Sequence, residues 1–146
     1  MPLDRNALER LLPHRGAMCL LDSVASWDED RIVCRASSHR APAHPLRLDG
    51  RLPGVVAIEY AAQAMAVHGG LRALAQRDAA PGYLVAVRDA RLHVATLDEV
   101  ATDLEISATC QAADATGLVY AFAVEAGGRL VAEGRATVVL LTRGGS

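Results

Sequence analysis

The sequence predicts an α+β domain: one long helix with an antiparallel sheet of about five to six strands wrapped around it. Three observations carry this. A single helix-length apolar run, Leu52–Gly70, opens on Pro53-Gly54, and Pro suits a first helical turn. Strand-like segments with period-two patterning lie on both sides of that run, two before it and four after it. Several antiparallel strands beside one long helix form a two-layer α+β arrangement.

Each element has its own signal. Asn6–Leu12 suits a short helix, with Asn6 as cap and Glu9 three residues later, and Pro13 limits its continuation. Met18–Trp27 and Arg31–Ser38 read as strands around the turn Asp28-Glu29-Asp30, and Ile32, Cys34 and Ala36 alternate with Arg31, Val33 and Arg35. His39–Leu52 is a loop broken by Pro42, Pro45 and Gly50. The central helix starts near Gly54. Gly69-Gly70 either ends or loosens it or admits another backbone, Leu71–Arg77 can add two turns, and Pro81-Gly82 stops it. Tyr83–Val94, Asp103–Ala113, Leu118–Glu125 and Arg129–Leu141 read as strands, and Gly127-Gly128 signals a hairpin.

The 146 residues make one domain, 1–146, large enough for a core. The chain is 51% hydrophobic but only 3% aromatic, so Leu, Val, Ile and Ala must fill that core. A net charge of −2 and the lack of aromatic-plus-basic platforms argue against a nucleic-acid partner. Cys19, Cys34 and Cys110 are widely spaced and odd in number, as in reduced thiols of a cytoplasmic protein, and no metal-ligand spacing occurs. The start MPLDRNALER has no apolar signal region, and Glu59 interrupts the longest apolar run, so membrane insertion is not expected.

Glu59 is the informative residue. A helix apolar on all sides belongs in a core, and a carboxylate there is costly unless paired, hydrogen-bonded or protonated. Burial pushes a carboxyl towards holding its proton, which suits proton transfer near neutral pH. Gln63 follows four residues on, on the same face.

This stretch also resembles a known family. LPGVVAIEYAAQA is similar to the central-helix start of the 3-hydroxyacyl-acyl-carrier-protein dehydratases of the hotdog-fold superfamily. Leu12-Pro13-His14-Arg15, then Met18 through Val24, resembles their N-terminal LPHR…LLD-x-V segment. Asp49-Gly50-Arg51-Leu52-Pro53 and Ala57-Ile58-Glu59-Tyr60 look most like the dehydratase-like proteins of aryl-polyene pigment clusters. The resemblance implies a hotdog fold and at least a dimer with sites between subunits, either a homo-oligomer or a heteromer with a second dehydratase. It implies an acyl carrier protein as partner. It implies no resident cofactor, the substrate riding on phosphopantetheine of that carrier or on coenzyme A.

Dehydration of a 3-hydroxyacyl thioester needs a base at C2, an acid for the C3 hydroxyl, and donors to the thioester oxygen. The family pattern puts Glu59 in the acid role and a loop histidine in the base role. His44 is the candidate base, but it lies fifteen positions before Glu59 where the family has fourteen. Pro45-Leu46-Arg47 stands in place of Phe-x-Gly, and His44 also reads as a surface loop histidine. Gly54 falls on the Pro-Gly whose N–H meets the thioester oxygen, with Val55 and Gln63 as further substrate contacts. Arg40, Arg47 and Arg51 form a basic loop suited to a phosphate or an acidic carrier, and equally read as solvated arginines. His39 fits the base position worse, His14 reads as structural, and His93 lies in a strand. His68, nine residues after Glu59, reads as a helix-end histidine on roughly the same face. A thioesterase on the same fold, or a degenerate partner subunit of an active dehydratase, are the alternatives.

Overall fold

Asp4, not Asn6, caps the first helix. Its Oδ1 accepts the Ala7 N–H at 3.0 Å, so α1 spans Arg5–Leu11. The structure, a computed structural model, describes residues 3–11, 18–76, 82–114 and 116–140. His14 and the rest of the LPHR segment lie outside the described residues, as do Arg77 and Pro81.

The strand expected from Met18 begins only at β1 (Ser23–Trp27). The reason is a side chain from the central helix. Gln63 Oε1 accepts the Leu20 N–H at 2.9 Å, and its Nε2 donates to the Met18 carbonyl at 2.7 Å. Those backbone groups are bracketed by an amide rather than by a ladder. β2 (Arg31–Ala36) pairs antiparallel with β1. Their turn is set by Asp28, whose Oδ1 accepts the N–H groups of Asp30 and Arg31 at 2.8 Å each. These bonds hold its carboxyl below the usual range.

A 3-10 turn, Gly54–Val56, leads into α2 (Ala57–Gln76). The helix runs unbroken through Gly69-Gly70. No atom approaches the place of a Gly69 Cβ, so that glycine admits no neighbouring backbone. The remaining strands are β3 (Gly82–Leu92), β4 (Leu104–Ala113), β5 (Gly117–Ala126) and β6 (Arg129–Leu140). They join β1 and β2 in one antiparallel sheet of order β1-β2-β4-β5-β6-β3. Helix α2 therefore carries the chain from near one sheet edge to the other, and it packs on every strand from β2 to β6.

The core follows the composition. Leu, Ile, Val and Ala supply most of it, with Tyr60 and Tyr120 its largest fully buried side chains. Phe122 stands opposite Gly134, where an added Cβ would lie 2.8 Å from the ring. The glycine thus makes room for the single phenylalanine. Cys34 is fully buried, and desolvation pushes its thiol up to about 12.

Only one side of α2 is covered. Val56, Tyr60, Ala61, Ala64, Val67 and His68 are buried, whereas Val55, Glu59 and Ala66 are exposed and Ile58, Ala62 and Gly69 are half-buried. The helix is apolar all round, yet a strip of it faces outward.

The Gln63 bracket is testable. Gln63→Leu keeps the volume but strands the buried Leu20 N–H, and should cost about 1–3 kcal/mol. Urea unfolding should show an earlier midpoint at an unchanged slope, and an unmoved midpoint would mean that water replaces the amide.

Candidate active site

The site is assembled where the loop after β2 meets the start of α2. Residues 52–54 run beside residues 95–97. Pro53 bridges Thr96, the Leu97 N–H donates to the Leu52 carbonyl at 2.8 Å, and the Gly54 N–H donates to the Ala95 carbonyl at 2.8 Å. A Cβ on Gly54 would sit 2.2 Å from the Val94 carbonyl oxygen. Glycine is required there for close backbone approach. This corrects the expected role of Gly54: its N–H is already bonded and is not a donor for a thioester oxygen. The next amide is different. Among the described residues no acceptor bonds the Val55 N–H, and Val55 is half exposed at the positive end of α2.

The arginines divide. Arg47 is not available to a carrier or a phosphate. Its Nε donates to Ala41 O at 3.0 Å and its Nη2 to His39 O at 3.0 Å. Its Nη1 donates to Gly50 O at 3.1 Å and to Asp98 Oδ1 at 2.7 Å. Asp98 also accepts the Leu52 N–H at 2.8 Å, and these contacts hold its carboxyl low. Arg47 therefore closes the loop on itself. Arg40 is likewise tied, to Ala101 O and Asp103. Arg51 is exposed at the end of a tight turn, with Asp49 (φ 51°) and Gly50 (φ 77°) both left-handed. No ion pair to Arg51 occurs among the described residues.

His44 is not a solvated loop residue. It is only 5% exposed, and both ring nitrogens have partners. Its Nδ1 accepts the Leu46 N–H at 3.1 Å and its Nε2 lies 3.1 Å from Tyr60 Oη. Tyr60 Oη is 2.6 Å from Ser38 Oγ, which donates to the Leu20 carbonyl at 2.7 Å. The protons in this chain follow from its two ends. Nδ1 accepts, so the neutral ring carries its proton on Nε2. The Ser38 proton goes to Leu20, so the Tyr60 proton goes to Ser38 and Tyr60 accepts from His44. Burial, then Arg47 and His39, lower the His44 pKa, while burial raises Tyr60 to about 12. A neutral imidazole is what a base must be, but its one lone pair is capped by Leu46. The expectation that His44 offers a free base is corrected on that ground.

Glu59 departs from expectation too. It is exposed on the open strip of α2, so burial within its own chain does not explain its chemistry. It lies in the first turn of α2. Gln63, expected as a substrate contact, is buried with its amide bound to Met18 and Leu20. Nine residues are two and a half helical turns, which puts His68 opposite Glu59 and not on its face. His68 is fully buried mid-helix, with Nδ1 2.7 Å from Tyr120 Oη and Nε2 2.8 Å from Asp28 O. His39 is also fully buried, its Nε2 3.1 Å from Val100 O, whereas His93 pairs with Glu133 at the surface. Sequence reasoning missed Tyr60 and Ser38. Tyr60 stood in the IEY motif, but nothing local says that its hydroxyl would meet the loop. Among the described residues no cluster of His, Cys, Asp and Glu could hold a metal, and no helix is long and apolar enough to cross a membrane.

One long helix wrapped by a six-stranded antiparallel sheet is the hotdog fold, a class shared by dehydratases and thioesterases. The family model for ApeP-like proteins, described as ApeP dehydratase, matches residues 6–142, and the chain belongs to that family. The dehydratase heterocomplex ApeI:P from Xenorhabdus doucetiae contains a chain 26% identical, with TM-score 0.77 over 93% of this chain and 91% of that one. AziG of S. sahachiroi is 23% identical, with TM-score 0.68 over 91% and 99%. A hypothetical thioesterase from Streptococcus pneumoniae TIGR4, solved with coenzyme A, is 15% identical, with TM-score 0.62 over 82% and 84%. These last two share the fold. No curated protein matches the sequence.

The buried histidines make a pH prediction. Desolvation is the first cause lowering the folded-state pKa of His39, His44 and His68. The unfolded chain, with ordinary values of about 6.5, then binds protons that the folded chain resists. Stability should be level above about pH 7 and fall as pH drops through 6.5, by at most about 1.4 kcal/mol per pH unit for each histidine. Denaturant titrations at pH 7.5, 6.5 and 5.5 check this, and a flat profile would refute it.

Proposed function

We propose that the chain is a subunit of a 3-hydroxyacyl-[acyl-carrier-protein] dehydratase, acting on carrier-bound thioesters in polyene or fatty-acid synthesis. The observation that carries the reading is Glu59, the one acidic side chain on the outward strip of α2, beside the unbonded Val55 N–H at the start of the same helix. The Val55 N–H would polarise the thioester oxygen as negative charge develops there. Glu59 would protonate the C3 hydroxyl as it leaves as water. The C2 proton must go to a base, and His44 as held here presents no free lone pair. A partner chain that lays its own site residues against α2 supplies what is missing, and would cover the apolar strip. The similarity to a chain of the ApeI:P heterocomplex supports a heteromer with a second dehydratase. A homodimer is the simpler form of the same arrangement. Arg51, exposed and without an ion pair among the described residues, is the cation of the loop that could meet an acidic carrier.

A second reading has one observation in its favour. A carboxylate without an accessible imidazole can still activate water, which is thioesterase chemistry on this fold.

Two measurements test the proposal. Purified protein, alone and with a candidate partner dehydratase, is incubated with 3-hydroxyacyl-carrier protein and followed by mass spectrometry. Loss of water supports the dehydratase, and release of free acid supports the thioesterase. Glu59→Gln should lower turnover at least about a hundredfold with a normal melting curve, because an amide transfers no proton. Undiminished turnover would remove Glu59 from the chemistry. Light scattering should give at least twice the 15.4 kDa chain mass. A monomer at micromolar concentration would leave the strip on α2 uncovered and the shared site without a second half.

A further inference from the structure

We infer that Tyr60 is a positioning residue for His44: its hydroxyl fixes the ring as the Nε2–H tautomer and turns it into its own chain. Tyr60 is fully buried, and a buried hydroxyl needs partners. Its partners come from the start and the middle of one loop. Ser38 opens the loop after β2, His44 lies six residues further on, and Arg47 ties the His39 and Ala41 carbonyls between them. The chain His44 Nε2–H to Tyr60 O–H to Ser38 O–H to Leu20 carbonyl has one direction, because its last acceptor has no proton to give. A phenylalanine at 60 would fill the same space but leave the Nε2–H without an acceptor. The hydroxyl, and not the ring, is therefore the functional part of this residue.

The consequence concerns which nitrogen can act. With Nε2 protonated and bound, the only lone pair of His44 is on Nδ1, under the Leu46 N–H at 3.1 Å. That bond joins residues two apart, so it is local and is the part of the arrangement that a small loop movement can open. The inference rests on the proposed acyl chemistry only for its bearing on catalysis. The tautomer itself is read without substrate.

The test is nitrogen-15 NMR of the histidine rings in the full chain at pH 7.5, with the His44 signals assigned by their loss in His44→Gln. The wild-type protein should show a neutral His44 ring protonated on Nε2. In Tyr60→Phe the Nε2 proton should exchange with solvent about tenfold faster, the weight of one net hydrogen bond, and the Nδ1–H tautomer should become detectable wherever the local Leu46 bond opens. Ser38→Ala keeps the tyrosine ring in place and should give a smaller change in the same direction. It carries the test by itself if Tyr60→Phe does not fold. A wild-type ring protonated on Nδ1, or exchange unchanged in the folded variants, would overturn the assignment. A failed dehydration assay would leave the NMR result standing, so the two ideas fall separately.

Discussion

The fold depends on satisfying three polar side chains that α2 drives into the core. Tyr60, Gln63 and His68 all lie on its covered side, where an unpaired polar group costs more than its hydrogen bond contributes. Each reaches a different piece of chain. Gln63 holds Met18 and Leu20, Tyr60 holds Ser38 and His44, and His68 holds Asp28 and Tyr120. The helix thereby fixes the N-terminal segment, the loop after β2 and the β1–β2 turn, none of which has enough ladder bonds of its own. Apolar burial stabilises the layer, and these three groups decide where its irregular parts lie.

That division explains what was legible in the sequence. Period-two runs and the Pro53-Gly54 start signal are local, so the order of elements and the wrapped layer could be read directly. The strand misread at Met18–Asp22 fails for a non-local reason, since Gln63 sits more than forty residues away and replaces a strand partner. The site was half legible. Motif matching placed Gly54, but the Val94 and Ala95 carbonyls that use up its N–H and exclude a Cβ belong to a segment forty residues downstream. Arg47 read as a surface cation because four acceptors from the folded loop and the 3-10 turn after β3 leave no trace in its neighbours.

Glu59 shows the same limit from the other side. An acid in an apolar helix implies burial only if every face of the helix is covered, and one chain covers only the side bearing Tyr60, Gln63 and His68. Helix periodicity then sends Glu59 outward with Val55 and Ala66. The apolar residues on that strip give a second chain something to cover, and the carboxylate is what it would enclose.

Such an assembly separates two jobs that a single chain would find hard to combine. The inner side of α2 requires fixed, fully bonded polar groups, because a mobile buried hydroxyl or imidazole is destabilising. A proton-transfer site requires groups with a bond to spare. In this chain His44 and His68 have none, since each uses both nitrogens, and the one unpartnered buried imidazole nitrogen among the described residues, His39 Nδ1, is shut inside the core. Glu59, on the outward strip, keeps its acceptors free of the core network. The helix that organises the fold can therefore present chemistry only on the face that the fold leaves uncovered, and that is the face where the proposed partner would sit.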